Sequence, residues 1–107
     1  MLQFCTSLSS LDLSMFVTSK VELMWSMFSS CKSLKSLDLS NFNTWNNHHF
    51  GWMFSYSTSI IPLDLSNFVT SNVEEMNNMF EGCISLISLN LSHFDTSNVN
   101  SNVNMFQ

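Results

Sequence analysis

The chain has 107 residues, of which 45% are hydrophobic and 10% charged, a composition that supplies a packed core and excludes a disordered polar chain. Its net charge is −5 and its basic side chains are Lys20, Lys32 and Lys35, which argues against a phosphate-tracking surface for nucleic acid and against adsorption to anionic lipid headgroups. No apolar run approaches the roughly 20 residues that a membrane-spanning helix needs, and Met1-Leu2-Gln3-Phe4 lacks the basic-then-apolar order of a signal peptide.

The dominant pattern is a period. Met27-Phe28, Met53-Phe54, Met79-Phe80 and Met105-Phe106 follow one another at intervals of 26 residues, and aligning on that step gives four units opening at Cys5, Cys31, Ser57 and Cys83 without insertion or deletion. A fixed period of this size predicts units that bury their apolar faces on copies of themselves, so residues 1–107 read as one elongated repeat domain. The frame opens inside a unit at Met1-Leu2 and stops in the same phase at Gln107, from which we expect a piece of a longer array without terminal caps.

Taken in chain order, each unit begins with apolar columns: Leu8, Leu34, Ile60 and Leu86, then Leu11, Leu37, Leu63 and Leu89, then Leu13, Leu39, Leu65 and Leu91. In Leu37-Asp38-Leu39-Ser40 the apolar residues alternate, which predicts a short strand with Leu37 and Leu39 inward and Asp38 and Ser40 toward water. A column of Phe16, Phe42, Phe68 and Phe94 follows, and segments such as Ser66-Asn67-Phe68-Val69-Thr70-Ser71-Asn72 carry turn chemistry, with Ser71 or Asn72 placed to cap what comes next. From Val73 through Met76, Met79, Phe80 and Cys83 the apolar steps are those of one face of a helical or 3₁₀ turn.

The unit Cys-x-Ser-Leu-x-Ser-Leu-Asp-Leu-Ser-x-Phe-x-Thr-Ser-x-Val-x-x-Met-x-x-Met-Phe resembles the repeat of BspA-like bacterial surface proteins and the 26-residue repeat of bacterial surface lipoproteins, and Leu34-x-x-Leu37-x-Leu39 matches the first half of a leucine-rich repeat. The fold expected on this resemblance is an α/β repeat. It is a right-handed leucine-rich-repeat solenoid of about four 26-residue coils, with short parallel strands on one face and helical or 3₁₀ turns on the other. Phe42 and its column mates stand where the general pattern places Asn or Cys, so a phenylalanine stack is expected in place of an asparagine ladder. The resemblance further implies a cell-surface or extracellular module for adhesion or protein–protein contact. A structural spacer or end-to-end self-associating segment is the alternative.

Cys5, Cys31 and Cys83 share a column with Ser57 and read as small reduced interior side chains, with no His near enough to activate a thiol. Asp12, Asp38 and Asp64 form an acidic file flanked by Ser14, Ser40 and Ser66, better suited to a cationic protein partner than to calcium, which wants six to eight oxygens from several directions. His48 and His49 sit on a different part of the unit from His93 and cannot converge on zinc. Residues 45–52 depart most from the repeat, as drift or as a local binding bulge, and make Trp45 and Trp52 candidate anchors. The threonine column Thr18, Thr44, Thr70 and Thr96 is a single file, narrower than an ice-binding face requires. No phosphate loop and no nucleophile–base pair is legible, so the expectation is a non-enzyme without cofactor or metal, binding protein through Asp12, Asp38, Asp64, Ser14, Ser40 and Ser66 with Trp45 and Trp52.

Overall fold

The computed structural model describes residues 5–107. Met1-Leu2-Gln3-Phe4, on which the signal-peptide and opening-frame expectations fall, lies outside the described residues. We label the units 1 (5–30), 2 (31–56), 3 (57–82) and 4 (83–107).

The expected architecture is overturned. Among the described residues there is no helix and no strand, and β-type pairing is reduced to single parallel bridges, Leu23 to His49, His49 to Glu75 and Glu75 to Ser101. The molecule is therefore not an α/β leucine-rich-repeat solenoid. Nor is it elongated: its principal extents are 35 × 32 × 21 Å and its radius of gyration is 12.7 Å, the size of a compact globule of this length.

The reason lies in where the backbone groups go. On the side expected to be helical, alternate N–H groups leave the unit: Phe50, Trp52, Phe54 and Tyr56 donate to the carbonyls of Glu75, Asn77, Met79 and Glu81 in unit 3, at 2.6–3.0 Å. The intervening N–H groups of Met53, Ser55 and Ser57 donate three residues back, to Phe50, Trp52 and Phe54. The same alternation recurs in unit 1 at Met24, Ser26, Phe28 and Ser30 and in unit 3 at Met76, Asn78, Phe80 and Gly82. A helix cannot propagate through it, because Ser26, Ser30, Trp52, Tyr56, Asn78 and Asn104 have φ of 55–59° and Gly82 has φ of 65°, in the left-handed region. A strand cannot form either, since tight three-residue turns shorten the chain at every second residue. The turns nevertheless bring Val73, Met76, Met79 and Phe80 inward, which is why their spacing imitates a helix.

On the side expected to be a strand, Leu13, Leu37, Leu39, Leu63 and Leu65 are buried and Asp38 and Ser40 exposed. The residues 37–40 nevertheless carry no ladder. Of their N–H groups only that of Ser40 is bonded, and locally: it donates to Asp38 Oδ1 at 2.9 Å, closing an aspartate-supported turn, while the Leu39 carbonyl accepts the Phe42 N–H at 2.9 Å. Identical turns join Ser14 to Asp12, Ser66 to Asp64 and Ser92 to Asn90. The aspartate that looked like the outward residue of a strand is the residue that bends the chain out of one.

Side chains then do the cross-linking between units. Asn41 Nδ2 donates to the carbonyls of Leu13, Ser14 and Phe16, and Asn67 Nδ2 to those of Leu39, Ser40 and Phe42. His93 takes the same position in unit 4 and reaches the Leu65 carbonyl at 2.9 Å. An asparagine ladder thus exists, one residue before the phenylalanine column. Phe42 and Phe68 instead pack across the interior on Phe28 and Phe50, with centroids 6.2 and 5.4 Å apart. The rings that do stack belong to the other column: Phe28 on Phe54, Phe54 on Phe80 and Phe80 on Phe106, at 5.5–5.7 Å and within 11° of parallel.

Candidate functional site

The expected acidic file is fixed by the turns just described. Asp12, Asp38 and Asp64 are exposed, and each directs one carboxylate oxygen at the N–H of the serine two residues on. Hydrogen bonds from that serine hold all three carboxyl groups below the usual aspartate value; the backbone N–H is the larger cause at Asp12 and Asp64, the hydroxyl at Asp38. Asp95 is held down in the same way by Ser97, with the hydroxyl as the larger cause. The exposed carboxylates are therefore biased toward the ionised form and each is tethered through one oxygen.

The structure brings most of the sequence-predicted residues together. Asp12, Ser14, Asp38 and Ser40 line one shallow depression of about 150 Å³, and Asp38, Ser40, Asp64 and Ser66 line the next, of about 120 Å³. Ser40 also borders a wider depression that contains Trp45 with Thr44, Asn67 and Val69. Trp45 is 58% exposed and lies at the margin of the acidic strip. Trp52 lines none of these three depressions. It packs edge-to-face on Trp25, with ring centroids 5.5 Å apart, and the Trp25 indole lies so close over Gly51 that a Cβ there would stand 3.0 Å from Trp25 Cδ1. Residues 45–52 form no bulge: Asn46 Nδ2 donates to the Ser19 carbonyl and the Phe50 and Trp52 N–H groups hold the 26-residue register.

The remaining candidates have structural employment. Thr18, Thr44 and Thr70 are buried, and each hydroxyl both donates to and accepts from the backbone of one residue in the next unit: Asn43, Val69 and Asp95. They offer no water-ordering face. Cys5, Cys31 and Cys83 are thiols. Burial, the first cause, pushes Cys31 and Cys83 up to about 11. Cys83 Sγ donates to the Phe54 carbonyl at 2.9 Å as Ser57 Oγ does to that of Phe28, so the column selects a small donor, which explains the interchange of Cys and Ser. Among the described residues no three His, Cys, Asp or Glu side chains are grouped to hold a metal ion.

Sequence reasoning missed the surroundings of His48 and His49. They face Glu74 and Glu75 of unit 3 at 3.8 and 3.3 Å, an alignment that the 26-residue step itself could have revealed. It also missed that both glycines in the chain lie beneath aromatic rings of the preceding unit, Gly51 under Trp25 and Gly82 under Tyr56.

A chain that cross-links its units at one repeat spacing, through backbone bonds on one side and amide and hydroxyl side chains on the other, is a tandem-repeat protein with a periodic polar surface. It belongs to the family described as "Mycoplasma protein of unknown function, DUF285", which matches residues 1–107. Neither curated proteins nor solved structures yield a match to the sequence. No helix among the described residues is long and apolar enough to cross a membrane.

Proposed function

We propose that the chain is a non-catalytic interaction module of the cell surface, related in its repeat to BspA-like surface proteins, that binds a basic protein partner along the strip of Asp12, Asp38 and Asp64. Ser14, Ser40 and Ser66 flank that strip and Trp45 supplies an apolar anchor at its edge. One observation carries this reading: three exposed carboxylates recur at the repeat spacing, each held by the same serine-closed turn. Groups fixed before binding lose little freedom on binding, and several weak contacts on one rigid body add to a useful affinity. The net charge of −5 favours the approach of a basic partner.

The test exploits Asn90, which closes the same turn without a charge. A triple Asp12→Asn, Asp38→Asn, Asp64→Asn variant should keep the fold and lose at least about tenfold in affinity for an octalysine peptide measured by calorimetry at low salt. Equal octalysine affinity of the triple variant and the natural chain contradicts the assignment of the strip.

A further inference from the structure

On a separate part of the repeat, units 2, 3 and 4 together form a depression of about 460 Å³ lined by His48, Asn72, Glu74, Ser97, Asn98 and Asn100. Its hydrogen-bonding character follows from what these side chains already do. Asn72 Nδ2 donates to the Trp45 carbonyl at 2.8 Å and Asn98 Nδ2 to the Ser71 carbonyl at 2.6 Å, so each amide nitrogen is engaged and each amide oxygen remains as the acceptor its side chain brings to the groove. Ser97 commits its hydroxyl proton to Asp95 Oδ1 at 2.6 Å, leaving lone pairs. His48 Nδ1 lies 3.0 Å from the Asn72 carbonyl; a carbonyl only accepts, so Nδ1 carries a proton and is committed to that bond. Glu74, whose side chain is 52% exposed, is an acceptor at both oxygens.

Asn72, Asn98, Ser97 and Glu74 thus offer acceptors to an entering group, and Glu74 brings a carboxylate. In this register Lys20 of unit 1 stands in the column continued by Asn46, Asn72 and Asn98, so that column brings amides and no lysine to the groove. The ligand that answers such a lining is rich in donors and positively charged. A single carboxylate with neutral oxygens is too little charge for a divalent cation, which favours several carboxylates. An ammonium group brings three donors around a point, whereas a guanidinium brings five in a plane, matched to a carboxylate on one edge and amide oxygens on the other.

We propose that this groove is a guanidinium-binding site, taking an arginine side chain of a protein partner between Glu74 and the amide oxygens of Asn72 and Asn98. The site is distinct from the acidic strip and does not depend on it.

The experiment uses the whole chain labelled with ¹⁵N and acetyl-arginine-amide as the probe, following the side-chain amide signals of Asn72, Asn98 and Asn100. The expected result is a saturable shift of these signals that acetyl-lysine-amide reproduces at least about fivefold more weakly. Glu74→Gln, whose side chain makes only the 3.8 Å contact to His48, should keep the fold and weaken binding about tenfold, while Asp64→Asn leaves it unchanged. Absence of a saturable shift, equal binding of the lysine probe, or equal loss in the two variants overturns the proposal. Loss on Asp64→Asn alone moves the site to the acidic strip, and that outcome rejects the groove while sparing the strip.

Discussion

The two sides of each unit are held together by different chemistry, and the difference decides what each can do. Around residues 50–56 the links between units are backbone to backbone, so side chains there are free to vary: Trp25, Gly51 and Asn77 occupy one column, and Ser26, Trp52 and Asn78 the next. Around residues 38–46 the links between units are made by Asn and Thr side chains while Asp closes a turn within each unit, and the repeat holds the Asp and Thr columns almost constant. Side-chain identity varies from unit to unit on the first side and recurs on the second. This is why the acidic strip is regular and the His48–Glu74 groove is local.

The largest effect expected from breaking either side lies in the core they share. Phe54 is fully buried and stacked between Phe28 and Phe80 at 5.7 Å on each face, so Phe54→Ala should destabilise the chain by about 3–5 kcal/mol in urea unfolding. An effect near zero would show that the ring column is not the core.

A smaller and more discriminating change is Thr44→Val. It preserves shape and removes a hydroxyl that is 1% exposed and serves both the N–H and the carbonyl of Val69. Leaving those groups without a partner should cost about 1–3 kcal/mol, and Thr44→Ser should retain most of the stability. Equal loss in both variants would assign the effect to packing and weaken the claim that side-chain bonds fasten this side.

The backbone-linked side predicts a change of opposite sign. Asn47 stands in the column of Val21, Val73 and Val99, is completely buried, and its Nδ2 has no hydrogen-bond partner. Its Oδ1 accepts the His49 N–H, a group whose counterpart at Glu75 bonds to the His48 carbonyl instead. Asn47→Val should therefore raise the unfolding free energy by about 1 kcal/mol. A destabilised variant would mean that the Asn47 amide does structural work that its surroundings do not display.

Much of the interior was legible because burial depends on side-chain chemistry: Leu13, Leu37, Leu39, Met76, Met79 and Phe80 are apolar, periodic and inside. The elements carrying them were not legible, because a three-residue turn and a helix bring nearly the same positions inward and only the destination of the N–H groups separates them. Alternation at Leu37-Asp38-Leu39-Ser40 failed as a strand signal for a related reason: Asp followed two residues later by Ser is a turn-closing pair, and the local bond replaced the ladder. Of the candidate site, the Asp and Ser columns were visible because they repeat. The groove was not, since it joins His48, Glu74 and Asn98 from three units and appears only when the 26-residue step is laid out in space.

Amide hydrogen exchange read residue by residue tests the architecture most directly. Exchange should be slowest at Phe28, Phe54 and Phe80, whose N–H groups bond to the next unit at 2.9–3.0 Å inside the core, and fast at Leu37 and Leu39, whose N–H groups make no backbone bond. Strong protection at Leu37, Leu39, Leu63 and Leu65 with little at Phe54 would place a strand ladder where the turns are described and contradict this architecture.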